Sequence, residues 1–138
     1  MAALRVLIDT NVVLDVLQVR EPFFEASKRL LAAAETGGVQ GMIAAHTVTT
    51  LFYLISKDKS SGQARTTITN LLQFLKVASV DQSTIEQALN LSYPDFEDAV
   101  QMLSAVQSKC DFLISRNVDD FKPGLLPVLS PVDFLATL

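Results

Sequence analysis

Short aliphatic runs alternate with amphipathic stretches along this chain, and no other feature constrains its fold as strongly. Helical spacing of apolar residues predicts helices over residues 22–35, 46–57 and 63–75, with shorter helices after residues 83 and 95. The aliphatic runs predict five strands, near residues 4–8, 41–45, 77–80, 112–115 and 127–130. Because parallel strands need a crossover, usually a helix, the alternation predicts an α/β fold with a mostly parallel sheet.

Local signals predict where several of these elements begin. Ser83 followed by Glu86 fits a capping box, with Ile85, Ala88 and Leu89 on the buried face of the helix that follows. Asp95 is a candidate N-cap for the next helix. The polar stretch 57–62 predicts a solvated loop. No linker, low-complexity tract or internal repeat divides the chain, so residues 1–138 are expected to form one domain.

Composition excludes several classes of protein. The 138 residues carry a formal charge of −4, which argues against a basic protein that coats nucleic acid. One cysteine cannot form an intramolecular disulfide, and one histidine with that cysteine cannot make a zinc site of the usual kind. Any metal would be held by oxygen. No run of 18 apolar residues occurs, so we expect no membrane span and a cytoplasmic protein.

Polar residues follow the predicted strands, where ligand sites of open α/β sheets lie. They are Asp9, Thr10 and Asn11 after the first strand, His46, Thr47, Thr49 and Thr50 after the second, Asp95, Glu97 and Asp98 near a helix start, and Arg116, Asn117, Asp119 and Asp120 after the fourth. Two carboxylates 4 Å apart repel by roughly 4 kcal/mol at an effective dielectric of 20, so a shared pocket favours a cation. Oxygen ligands favour Mg²⁺ or Mn²⁺, although each acid alone also suits a cap or turn.

Three segments together resemble the PIN domain family: VLIDTNVVLD at residues 6–15, DFEDA at 95–99 and LISRNVDDF at 113–121. The similarity extends over nearly the whole chain. The resemblance implies a three-layer α/β/α, Rossmann-like domain with a central parallel sheet of about five strands. It also implies a ribonuclease that uses Mg²⁺ or Mn²⁺, often the toxin of a bacterial toxin–antitoxin pair. The implied partners are RNA, an antitoxin protein and a second copy of the chain in a homodimer.

The resemblance also implies functional residues. Asp9 matches the first acid of the family motif, Asp98 the third, and Asn11 the motif asparagine. The second acid falls near Thr50, and the fourth falls at Asn117, with Asp120 one turn beyond. The expected catalytic residues are therefore Asp9, Asp98, Asp120 and Asn117, and the expected metal ligands are Asp9, Asp98 and Asp120. Residues expected to position substrate or water are Thr10, Asn11, Thr50 and Arg116. The two uncharged positions should weaken metal binding.

Other function classes fit the sequence less well. A phosphatase of the haloacid dehalogenase type needs a second aspartate where Asn11 stands. A receiver domain needs a further acidic pair and a late lysine that are not evident here. A catalytically degenerate PIN-like module that binds RNA or another protein remains open, because Thr50 and Asn117 carry no charge.

Overall fold

The computed structural model describes residues 3–138, which build a sheet of five parallel strands ordered β3-β2-β1-β4-β5. The strands are β1 (Leu4–Ile8), β2 (Val39–Ala44), β3 (Leu75–Ala78), β4 (Phe112–Ile114) and β5 (Val128–Leu129). In the centre of the sheet, Val6 of β1 is level with Gly41 on one side and with Phe112 on the other. Asp9, which follows β1, therefore emerges from the middle of the sheet.

Helices cover both faces of this sheet. They are α1 (Thr10–Leu17), α2 (Phe24–Glu35), α3 (Ala45–Asp58), α4 (Ser61–Leu71), α5 (Gln82–Ala88), α6 (Phe96–Gln107) and α7 (Pro131–Leu135), with a 3₁₀ turn at Val118–Asp120. Val6 and Ile8 point into the core shared with α1–α4 and α7, whereas Leu7 points into the core shared with α5 and α6. The predicted three-layer α/β/α fold with a parallel sheet is confirmed. No helix within residues 3–138 has both the length and the apolar character needed to cross a bilayer.

Two predicted boundaries were wrong. Helix α4 ends at Leu71, and Leu75 belongs to β3 although it continues the apolar stripe of the helix. The expected loop at 57–62 is much shorter, because α3 extends to Asp58 and α4 begins at Ser61. Ser60 caps α4 by accepting the Gln63 N–H at 3.1 Å, which allows the second helix to start almost at once.

The start of α5 was also predicted wrongly. Its N-cap is Asp81, whose carboxylate accepts the Thr84 N–H, while the Thr84 hydroxyl accepts the Asp81 N–H. The Thr84 hydroxyl further donates to Gln107 Oε1 at 2.5 Å, which ties this cap to α6. Leu89, expected on the buried face, is 68% exposed, and Ile85 is also exposed. Of the predicted buried face, Ala88 is confirmed as buried, and Thr84 is buried beside it.

Candidate active site

Asp9 occupies the N-cap position of α1, yet its carboxylate does not cap the helix. Gln101 Nε2 donates to Asp9 Oδ1 at 2.9 Å, and the Ser115 hydroxyl donates to Asp9 Oδ2 at 2.8 Å. The side chain is 3% exposed. The interpretation of Asp9 as a simple helix cap is therefore wrong, because the fold turns its carboxylate away from the free N–H groups of α1. Two buried donors hold the carboxylate between α6 and the end of β4.

A chain of buried polar contacts continues from Asp9 and joins three helices, α6 at its middle and α1 and α3 at their starts. Gln101 Oε1 accepts the Thr10 N–H at 3.4 Å, and the Thr10 hydroxyl shares a hydrogen bond of 2.9 Å with the Thr47 hydroxyl. Gln101 and Thr47 are almost fully buried. Thr10 was predicted to position substrate or water; the structure places it in the framework that joins α1, α3 and α6. Asn11 lies beside it, partly buried in the first turn of α1.

Asp98 stands in the first turn of α6 at the centre of an acidic cluster. Burial is the largest cause that raises its pKa, and neighbouring carboxylates add to the effect, so that the pKa rises to about 7. The carboxylates that raise it are, in order of effect, those of Asp9, Asp95, Asp120 and Glu97. Asp95 also caps α6 by accepting the Glu97 N–H at 2.9 Å, as its sequence position predicts. The fold thus brings Asp9 and Asp120 close enough to Asp98 for their charges to raise its pKa, and these three residues are the predicted metal ligands.

Aromatic packing explains how Asp120 reaches this cluster. Phe121 is buried and meets Tyr93 edge to face, with ring centroids 6.2 Å apart. The Tyr93 hydroxyl donates to the Pro123 carbonyl, so the loop before α6 and the 3₁₀ turn are joined. The Asp120 side chain is exposed, and its charge acts on Asp98. Asn117 is exposed as well, and its N–H donates to the Ser115 hydroxyl at 3.0 Å, which supports the group that holds Asp9.

The first two turns of α3 contribute neutral groups. The Thr50 and Thr49 hydroxyls both donate to the His46 carbonyl oxygen, at 3.2 and 2.8 Å. Both ring nitrogens of His46 are buried, and within residues 3–138 neither has a hydrogen-bond partner. Burial lowers the pKa of His46, whereas the charges of Glu97, Asp9 and Asp95 act to raise it. The imidazole therefore lies within the field of the acidic cluster.

Arg116 contacts a buried acid. Its Nε lies 3.2 Å from Asp15 Oδ2, and its guanidinium stacks over the Phe23 ring at 4.2 Å. Asp15 is fully buried, and burial raises its pKa while the charges of Arg116 and Arg20 lower it. Arg116 thus joins the end of β4 to α1 and to the loop before α2. Its contact with substrate stays a prediction.

The donor chemistry of the cluster fits a hard divalent cation, since a cation would relieve the repulsion that helps to raise the pKa of Asp98. As the side chains stand, however, no three His, Cys, Asp or Glu residues within residues 3–138 form a group that could hold a metal ion. Binding therefore requires side chains of the cluster to turn towards a common point. The exposed Asp120 has the room to do so.

Sequence reasoning missed Gln101 and Ser115, the two donors to Asp9. A signal was present for Gln101, which follows Asp98 by three residues and therefore shares its side of α6. It is a polar residue among the buried residues Val100 and Met102. Ser115 directly follows β4 in the way Asp9 follows β1. Both roles depend on contacts across more than 90 residues of sequence.

Comparison with known proteins agrees with this geometry. The PIN domain family matches residues 5–119, which is most of the chain. This chain belongs to the PIN domain family. Ribonuclease VapC1 of Aquifex aeolicus (strain VF5) is 23% identical to this PIN domain protein in an alignment 136 residues long that covers 94% of this chain and 92% of the relative.

Solved structures show the same fold. A toxin–antitoxin complex from Klebsiella pneumoniae contains a chain with a TM-score of 0.69 and 23% identity, and the match covers 91% of this chain and 97% of that one. VapBC-1 from nontypeable Haemophilus influenzae gives a TM-score of 0.70 at 13% identity, covering 94% of this chain and 99% of that one. At these identities the likeness establishes the PIN fold over nearly the full length.

Proposed function

We propose that this PIN domain protein is an endoribonuclease that depends on Mg²⁺ or Mn²⁺ and acts as the toxin of a toxin–antitoxin pair. The observation that carries the proposal is the Asp9 carboxylate, which stands at a helix N-cap but is held instead beside Asp98 by Gln101 and Ser115. The Asp9 carboxylate does not bond the N–H groups of its own helix, and its charge helps to raise the pKa of Asp98. Two such carboxylates suit the binding of a cation. The relative named as a ribonuclease supports the reaction class.

In this proposal Asp9, Asp98 and Asp120 hold the metal. When bound, a divalent cation lowers the pKa of water and stabilises the leaving oxygen during in-line displacement at phosphorus. Gln101 and Ser115 keep the Asp9 carboxylate in one orientation, and each of its oxygens retains a second lone pair for a ligand. Asn117 supports Ser115 through its N–H, while Asn11 and Thr50 stand near the site to position water or RNA.

The same proposal includes the partners and the setting. RNA is the substrate, and a cognate antitoxin protein inhibits the enzyme, as the toxin–antitoxin complex from K. pneumoniae suggests by its fold and its name. We further propose a single domain over residues 1–138, a homodimer and a cytoplasmic location. These five statements extend the family membership, and each has its own test.

The decisive experiment is cleavage of a mixed RNA pool by purified protein in Mn²⁺, Mg²⁺ or EDTA. We expect cleavage in metal, none in EDTA, and losses of at least about a hundredfold in Asp9→Asn and Asp98→Asn. Asp119→Asn is the matched control, because this acid neighbours Asp120 in sequence but is exposed and paired with Lys122 at 2.9 Å. Equal cleavage by all four proteins would indicate a contaminating nuclease and contradict the proposal.

The antitoxin part is tested in a growing host. Overexpression of the wild type should stop growth, while Asp9→Asn at equal expression should not. Co-expression of the product of a small neighbouring gene should restore growth and should co-purify with the toxin. Normal growth with abundant folded wild-type protein would contradict the toxin assignment but would leave RNA cleavage to the assay in vitro.

A second candidate is a catalytically degenerate module that binds RNA or another protein. It is favoured by the neutral Thr50 and Asn117 and by the lack of a three-residue metal-binding group within residues 3–138. For such a module, folded wild type would be inert in all metals, and Asp9→Asn would bind RNA as tightly as the wild type. Metal-dependent cleavage that Asp9→Asn abolishes would exclude it.

A further inference from the structure

The position of His46 brings it to the acidic cluster through the sheet register. Leu7 of β1 pairs with Met42 of β2, so Asp9 and Ala44 come level at the carboxyl edge of two neighbouring strands. His46 follows two residues later, in the first turn of α3. The adjacent Thr47 is bonded to Thr10, which anchors this turn directly beside Asp9.

His46 is partly buried, and the surroundings of its two ring nitrogens are unusual. Both Nδ1 and Nε2 are shielded from solvent, and neither has a partner within the described residues. Buried polar atoms are nearly always hydrogen-bonded, so two such atoms on one ring require an explanation. The charged groups that act on the ring are the carboxylates of Asp9, Asp95 and Glu97. A neutral imidazole has one nitrogen lone pair that can be donated to a cation, and here that nitrogen has no other partner and feels the charges of three carboxylates.

The first two turns of α3 also lack the carboxylate that the family resemblance places near Thr50. The Thr50 and Thr49 hydroxyls donate their protons to the His46 carbonyl and carry no charge. His46 precedes Thr50 by four residues, so the two side chains lie on the same side of α3. The imidazole is therefore the strongest potential donor that these turns present to the cluster.

We infer that His46 supplies a nitrogen ligand to the divalent cation of this site, in place of the carboxylate missing at Thr50, when the side chains of the cluster turn towards a common point. This inference rests on the proposed function, since it concerns the metal of the same site. Its consequence is a change in selectivity: imidazole nitrogen favours transition metals, whereas Mg²⁺ prefers oxygen. The site should thus take Mn²⁺ or Co²⁺ in preference to Mg²⁺.

Pulsed electron paramagnetic resonance of the Mn²⁺-loaded wild type tests the ligand directly. The chain contains a single histidine, so protein labelled with ¹⁵N-histidine and purified without a histidine tag reports on His46 alone. We expect nitrogen modulation in the Mn²⁺ signal that changes from the ¹⁴N to the ¹⁵N pattern on labelling. Tight Mn²⁺ binding with no histidine nitrogen coupling would overturn the inference.

Calorimetry on variants supplies the second readout. His46→Gln should lower Mn²⁺ affinity by at least about tenfold and change Mg²⁺ affinity much less. Thr50→Glu in the His46→Gln protein should restore binding and bring Mg²⁺ close to Mn²⁺. Thr49→Val is the matched control, since its hydroxyl makes the same contact as that of Thr50 but its side chain is exposed. Equal losses for Mn²⁺ and Mg²⁺ in His46→Gln would contradict the selectivity.

Failure of the proposed function and failure of the inference about His46 give different results. If wild-type protein binds no divalent cation and cuts no RNA, the proposed function fails and the inference falls with it. If the wild type binds Mn²⁺, and Asp9→Asn abolishes both binding and cleavage, the proposed function stands whatever the nitrogen signal shows. Absence of histidine coupling in that case overturns only the role of His46.

Discussion

At the scale of single residues, Asp98 shows how the acidic cluster lowers the free energy of unfolding. Burial and four neighbouring acids raise its pKa from 3.8 to about 7. Between these two values the folded protein binds a proton that the unfolded chain does not, so the free energy of unfolding falls as pH rises through this window. We predict that the free energy of unfolding of the wild type, measured by urea titration in EDTA at pH 5, 6, 7 and 8, falls across this range. In Asp98→Asn this fall should be lost.

A control for this pH dependence lies close by in the chain. Asp119 is exposed, and its ion pair with Lys122 lowers its pKa, which is the opposite direction. Asp119→Asn should therefore keep the decrease in stability from pH 5 to pH 8. If Asp98→Asn instead keeps the full decrease in the free energy of unfolding, the raised pKa of Asp98 is not the cause of that decrease. At pH 8 Asp98→Asn should also be more stable than the wild type, because it removes a buried charge from a group of like charges.

The limits of sequence reasoning are clearest at this scale. Asp9, Asp98 and Asp120 could be predicted because they follow the ends of buried strands or stand at a helix start, and such positions can be read locally. The roles of Gln101 and Ser115 could not, since each is defined by a hydrogen bond to a residue far away in sequence. The pairing of Arg116 with Asp15 could not be read from the sequence either, while its contact with substrate stays a prediction.

At the scale of elements, Gly41 allows β2 to pack closely against its neighbours. A Cβ atom at this position would lie 2.7 Å from Leu75 Cδ2 and 3.1 Å from the Ala34 Cβ atom of α2. Gly41→Val should therefore overpack the core and lower the free energy of unfolding by about 1–3 kcal/mol. Urea denaturation at a fixed pH measures this loss.

Gly62 in the first turn of α4 is the matched control for this substitution. A Cβ atom there meets nothing closer than Ser60 Oγ at 3.9 Å. Gly62→Ala should raise stability by roughly 0.5 kcal/mol, because it restricts the unfolded chain without strain in the helix. A Gly41→Val protein as stable as the wild type would show that Leu75 and α2 can move aside freely, contrary to the packing described here.

Elements were predicted well where burial decides them and poorly where a tertiary contact decides them. All five strands were located from their aliphatic character, and the parallel sheet followed from their alternation with helices. The start of α5 was misassigned because both Ser83 and Asp81 can cap a helix. The choice between them depends on Thr84, which completes the box with Asp81 and also donates to Gln107 of α6. That last contact is invisible in the local sequence.

At the scale of the whole molecule, the cluster joins parts of the chain that are far apart in sequence. Asp9 follows the central strand, Asp98 begins α6, and Asp120 ends a 3₁₀ turn held by Phe121. An unfolded chain does not bring these residues together, so a cation that binds them binds only the folded state. Binding is thereby linked to global stability rather than to the order of one loop.

This linkage gives a prediction that needs no RNA substrate. At pH 8, Mn²⁺ at a hundred times its dissociation constant should raise the free energy of unfolding by about 2.7 kcal/mol. Asp9→Asn should lose this gain, because it removes the charge that Gln101 and Ser115 hold in the site. Asp133→Asn, in the first turn of α7 and outside the cluster, should keep it. Urea titrations with Mn²⁺ and with EDTA measure the difference, and an equal gain in Asp9→Asn would mean that Mn²⁺ stabilises the protein from another site.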